Sequence, residues 1–163
     1  MFSKNEVYWV WLAEQLGADS PDFKKLYRIY QEPYEVFRLD AEELERLPEI
    51  GVQAKQRLAN KNLQRASEIL DACERIGCRI LHFGDAEYPQ ELAEIKNPPS
   101  LLYYAGELPD YGRRFAVGMV GTRTMSDYGM HSAYRLAYEL ADAGALIVSG
   151  LAEGIDGVCA AAA

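Results

Sequence analysis

The chain has 163 residues, 49% hydrophobic and 26% charged, with a net charge of −8. This is ordinary globular composition and excludes a disordered polar tail; the acidic balance argues against capture of nucleic acid by broad electrostatics. No apolar run reaches the roughly 18 residues of a membrane helix, and the apolar patch at 7–13 follows Lys4 and Glu6 and lacks a small-residue cleavage site, so a cytoplasmic, non-membrane protein is expected.

From the N-terminus, Trp9, Leu12, Ala13 and Leu16 are spaced i, i+3, i+4, i+7 and predict one apolar helix face over about 5–17, closed by Gly17. Ser20 and Pro21 predict the cap and first position of a second helix carrying Phe23, Leu26, Tyr27 and Tyr30. Helical spacing of these aromatics favours core over a base-stacking platform. Pro33 opens a short turn with Tyr34, Val36 and Phe37, and Asp40 caps a helix with Leu44 and Leu47. The stretch LPEIG at 47–51, followed by Ala54 and Leu58, is similar to the hairpin of a helix-hairpin-helix motif, whose turn offers N–H groups to a phosphate. Gly51 and Lys55 are therefore candidates for a secondary DNA contact; Arg57 and Lys61 fit either that or a solvated helix face.

A helix over 63–76 ends at Gly77, where the composition changes and a domain boundary is expected: all-α over 1–77, α/β over 78–163. The first part has 11 basic and 14 acidic residues (−3), the second 6 and 11 (−5). Short strands are predicted near 80 and 103, the second entered through Asn97, Pro98 and Pro99. The three cysteines read as reduced thiols. Cys73, Cys78 and His82 lack the fourth ligand and knuckle turn of a zinc site, so no metal is expected.

The apolar run at 115–120 predicts a strand covered on both faces. After it come Gly121, Thr122 and Arg123, helix-cap candidates Ser126 and Asp127, an amphipathic helix ending at Gly144, and a parallel strand at 145–148: a βαβ unit. The strands near 80, 103, 117 and 147 are expected to form one small sheet with an exposed edge. Both glycine turns fall beyond the carboxyl ends of their strands, where open α/β sheets hold ligands. Gly121 allows a sharp turn and close approach, Thr122 carries a hydroxyl, and Arg123 a planar fork suited to phosphate oxygens. Ser149 and Gly150 offer similar groups from the next strand; Gly154 and Asp156 open the last helix, with Asp156 expected to cap it. There is no G-x-G-x-x-G and no acidic residue placed to hold a ribose, so a dinucleotide site is not expected. Two phosphate-suited turns on neighbouring strands predict an anion site.

These residues carry a resemblance. VGTR (120–123), SDYG (126–129) and SGLAEGID (149–156), with YPQEL (88–92) and NPPSLLYYAGEL (97–108) upstream, resemble the motifs of the DNA-processing protein A family, DprA or Smf. The resemblance implies an α/β fold with an all-α SAM-like or helix-hairpin-helix N-terminal domain and a partial Rossmann-like parallel-sheet domain. It implies a non-enzymatic, cofactor-free single-stranded DNA binder that loads the RecA recombinase in natural transformation and self-associates at full length. At matching positions Gly121, Thr122, Arg123, Ser149, Gly150 and Gly154 line the pocket for DNA phosphates. The sequence departs from the family pattern at Glu153, in place of an arginine, and at Ala160, in place of a histidine. The family domain extends further than this chain, which is read as a fragment. Two other readings stand beside it: a nucleotide-binding enzyme resembling phosphoribohydrolases, and an interaction module without DNA binding.

Overall fold

The computed structural model describes residues 5–163. Its contacts define two compact units, Met1–Glu107 and Leu108–Ala163. Gly77, where the sequence changes character, closes a helix of the first unit with a left-handed backbone (φ 68°). The strands that follow it pack with the helices, and the units part only after Glu107.

The first unit contains α1 (Glu6–Leu16), α2 (Phe23–Tyr30), α3 (Pro33–Arg38), α4 (Ala41–Glu45), α5 (Val52–Leu58), α6 (Gln64–Ile76), β1 (Arg79–His82), α7 (Gln90–Glu94) and β2 (Leu101–Tyr104). The predicted single stripe of α1 is too narrow. Trp9, Val10, Trp11 and Leu12 are all buried, because α3, α5 and α6 pack around this helix. Burial of side chains this large is worth about 1.5–3 kcal/mol each, which makes α1 the organising element of the unit. Trp11 satisfies its indole N–H on the Asn60 carbonyl at 2.8 Å. The second helix begins later than Ser20 and Pro21 predict. The Ser20 hydroxyl accepts the Asp22 N–H at 3.2 Å in a preceding turn, and the helix starts at Phe23. Asp40 caps α4 in a capping box with Glu43. Phe23, Tyr27 and Phe83 pack ring on ring, with Phe83 5.2 Å from Phe23 and 5.0 Å from Tyr27, so these aromatics are core.

The four strands do not share one sheet. β1 and β2 pair antiparallel from Arg79 opposite Tyr104 to His82 opposite Leu101, and Leu101 enters the helical core. In the second unit β3 (Ala116–Gly118) pairs parallel with β4 (Leu146–Val148), joined by α8 (Asp127–Asp142) and followed by α9 (Ile155–Ala162). Ser126 caps α8 by accepting the Gly129 N–H. The core is made of small residues, Ala133, Ala137, Cys159 and Ala162, against which Met119, Ile147, Ile155 and Val158 pack.

Two-sided cover of the run at 115–120 is not observed. Met119 packs against the core of α8 and α9, whereas the next side chain, Val120, is 82% exposed, and Phe115, which precedes β3, is 78% exposed. With helices on one side of a two-stranded sheet, alternate side chains point to solvent. The architecture is thus mixed helix and small sheets, in keeping with an α/β class.

Candidate phosphate-binding site

The two glycine turns of the second unit interlock. The loop after β3 (121–126) and the loop after β4 (149–154) are joined by the Ile155 N–H donating to the Thr122 carbonyl at 3.1 Å. They fit so tightly that glycine is required on both sides. A Cβ at Gly121 would lie 2.6–2.8 Å from Ile155 side-chain carbons. A Cβ at Gly154 would lie 2.2 Å from the Thr122 carbonyl oxygen and 2.6 Å from that of Arg123. Gly154 also has φ 92° and ψ −137°, a conformation open in practice only to glycine.

Asp156 is the residue whose part the sequence did not reveal. Expected to cap α9, it makes no such cap: the N-cap is Gly154, with no side-chain bond. Its carboxylate, only 8% exposed, instead accepts the Gly121 N–H at 3.0 Å, and a Cβ at Gly150 would lie 3.1 Å from its other oxygen. Its backbone carbonyl accepts the Ser149 hydroxyl at 3.2 Å, and that hydroxyl in turn accepts the Leu151 N–H at 3.3 Å. One residue therefore ties the first turn to the second and to α9. Its charge is felt nearby: the buried Cys159 thiol is pushed up by burial and then by the Asp156 carboxylate.

These bonds redistribute the expected donors. The Gly121 N–H is committed to Asp156. Thr122 turns its hydroxyl inward, donating to the Thr124 carbonyl at 2.8 Å and accepting the Thr124 N–H at 3.2 Å. Ser149 is likewise engaged within its own loop. Arg123 is exposed and its guanidinium has no ion-pair or hydrogen-bond partner among the described residues. The same holds for the N–H groups of Thr122, Arg123 and Gly150. Together with the positive end of α8, which begins at Asp127, these are groups suited to an anion. Glu153, on the second loop, is also exposed and opposes an anion by its charge.

In the first unit, the hairpin candidates are engaged internally. The Gly51 N–H donates to the Asp22 carboxylate at 3.3 Å, so an acid of the chain sits where a phosphate was expected. Lys25 holds that carboxylate at 2.8 Å and the Glu49 carbonyl at 2.7 Å. Lys55 donates to the Glu45 carbonyl at 2.7 Å. Lys61 lies over the Trp11 ring at 5.1 Å and donates to the Val36 carbonyl, and burial pushes its ammonium pKa down. No group of three or more candidate metal ligands occurs among the described residues.

Residues 79–163 match the sequence profile of the family described as DNA recombination-mediator protein A, a span that contains both glycine turns. The chain belongs to that family. Protein Smf of Synechocystis sp. is 28% identical over 160 residues, 96% of this chain and 40% of the relative. The DNA processing protein DprA of Bacillus subtilis is 35% identical over 94 residues, 58% of this chain and 32% of the relative. DprA of Streptococcus pneumoniae is 42% identical over 69 residues, covering 42% and 24%. The chain thus spans two fifths or less of the length of these relatives. Among the described residues, no helix is long and apolar enough to cross a membrane.

Proposed function

We propose that this chain carries the phosphate-binding turns of a cytoplasmic single-stranded DNA binder that acts as a recombination mediator. The observation that carries the reading is the interlocked pair of turns, which leaves the exposed Arg123 guanidinium and the N–H groups of Thr122, Arg123 and Gly150 without partners among the described residues. Membership of the recombination-mediator family supports the same reading. In this mechanism the strand is held by its phosphates with little sequence preference. Gly121, Gly154, Ser149 and Asp156 hold the turns in place, and Arg123 with the free amides contacts the ligand. No catalytic residue takes part.

The finer features belong to the same proposal. The βαβ unit is the opening part of a Rossmann-like domain, and the helices before it form a SAM-like or helix-hairpin-helix domain. In the complete protein, DNA held in this way is handed to the RecA recombinase during natural transformation, and the mediator acts as a homodimer.

The test is fluorescence anisotropy of a labelled single-stranded oligonucleotide with the complete protein across a salt series. Arg123→Ala is expected to weaken binding and to lower the slope of log K against log salt by about 0.7, one phosphate contact on a single strand. Wild-type affinity with an unchanged slope removes Arg123 from the interface and the proposal with it.

A further inference from the structure

Away from the glycine turns, Cys73 and Cys78 form a pair of thiols that the proposed DNA binding does not use. Cys73 lies in the last turn of α6, Gly77 follows in the left-handed conformation, and the Cys78 N–H donates back to the Cys73 carbonyl at 2.8 Å. This six-to-one bond is that of a Schellman motif, which commonly brings the side chains of its two end residues together. Here both are thiols, near enough that Cys78 adds to burial in pushing the Cys73 thiol up, while the Cys78 thiol donates to the Arg79 carbonyl at 3.6 Å. Such closure over five residues falls within the reach of a disulfide, whose Cα atoms stand about 4.4–6.8 Å apart. The two sulfurs differ in access. Cys73 is buried, 6% exposed, while Cys78 is half-buried and lines a surface cavity of about 410 Å³ with Gly77, Arg79 and Tyr104. Glu6 and Glu74 border the same cavity. The Arg79 guanidinium lies 4.8 Å from the Tyr104 ring centroid and donates to the Gly106 carbonyl.

We propose that Cys73 and Cys78 are a reversible redox pair that closes to a disulfide by exchange with a low-molecular-weight disulfide entering at Cys78. In the first step the Cys78 thiolate attacks one sulfur of the small disulfide. A Cys78 mixed disulfide forms, and one small thiol leaves with the proton that Cys78 released. In the second step the Cys73 thiolate attacks the Cys78 sulfur, the protein disulfide forms, and the second small thiol leaves. The protein loses two electrons and two protons, and the small disulfide gains both. The bond staples the end of α6 to the first residue before β1. The order of events follows from access, since only Cys78 faces the cavity.

The experiment treats the full chain with oxidised glutathione, quenches with acid, and counts thiols and mass in denaturant. Free thiols are expected to fall from three to one, with a loss of two hydrogens. Tryptic peptides 66–75 and 76–79 are expected to be joined, and dithiothreitol is expected to restore all three thiols. Cys73→Ser is expected to stop at a glutathione adduct on Cys78, and Cys78→Ser to remain unmodified at Cys73. A wild-type chain that keeps three thiols, retains glutathione, or joins either cysteine to Cys159 overturns the proposal. The wild-type measurement decides the matter even where a variant folds poorly.

Discussion

Gly144 and Gly154 provide an internal comparison for the fit of the two turns. Both have φ of 92°, which L residues rarely adopt, so alanine is strained at either position. Their surroundings differ. A Cβ at Gly144 finds nothing within 4 Å, whereas at Gly154 it would overlap the Thr122 and Arg123 carbonyl oxygens at 2.2 and 2.6 Å. Those atoms are backbone, so relief requires the 122–123 segment itself to move. Gly144→Ala is expected to cost about 1–2 kcal/mol, the conformational penalty alone. Gly154→Ala adds overpacking of about 1–3 kcal/mol to a strain of about 1–3 kcal/mol, a total of about 2–6 kcal/mol. Against the roughly 5–15 kcal/mol of a whole domain, that is a large fraction. Tryptophan emission is the wrong probe, because Trp9 and Trp11 both belong to the first unit. Hydrogen exchange followed on peptides from 108–163 reads the second unit directly. Gly154→Ala is expected to accelerate exchange around 119–125 and 149–158 well beyond Gly144→Ala. Equal protection in the two variants would falsify the claim that the turns interlock through Gly154.

Three further outcomes follow from single residues. Asp156→Ala removes the acceptor of the Gly121 N–H and is expected to destabilise the second unit by about 1–3 kcal/mol; Asp156→Asn retains an acceptor and should lose less, and equal losses by hydrogen exchange on peptides from 108–163 would show that the bond is not the stabilising feature. Leu151 has φ 53° and is 72% exposed, so Leu151→Gly is expected to relieve about 1–2 kcal/mol of left-handed strain against about 0.5–1 kcal/mol of glycine entropy; a net loss of stability would mean the leucine has a packing partner. His82 is held below its ordinary value mainly by burial, partly opposed by Asp85, Glu6 and Glu32, with its Nε2 buried and unpaired and its ring stacked on Trp9 at 4.9 Å. Because its folded pKa is depressed, its stabilising contribution is complete above the unfolded value of about 6.5 and is lost as pH falls through the folded value; the urea midpoint by tryptophan fluorescence should drop from pH 7 toward pH 5 more steeply than in His82→Phe, and parallel curves would exclude His82.

What was legible in the sequence was local. Gly17, Asp40, Gly77 and Ser126 announce helix ends because capping is settled within a few residues. The side-by-side glycine turns were legible because each follows a short apolar strand. The hydrogen bonds that define the sites were not, because they span the chain: Asp156 reaches Gly121 across 35 positions and Asp22 reaches Gly51 across 29. An acid near a helix start suggests a cap, and only the fold shows that its partner lies elsewhere. The partition of the strands was equally hidden. An apolar run states that side chains seek cover, not how many faces receive it, and in β3 one face receives none from the described residues.

Asp156 also alters how the proposed phosphate site must work. A carboxylate beneath Gly121 removes one N–H from the ligand and places a negative charge next to where a phosphate would bind. That arrangement opposes binding electrostatically, and exposed Glu153 and the overall charge of −8 act in the same sense. It is tolerable where the acid's main effect is geometric. By joining the turns, Asp156 removes the conformational freedom that two separate glycine loops would have to lose on binding. The attraction then falls chiefly to Arg123, the one cation of the two turns, and to neutral amides whose contribution does not depend on charge balance. Binding should consequently be short in reach and steep in its dependence on this one arginine, rather than spread over a basic surface.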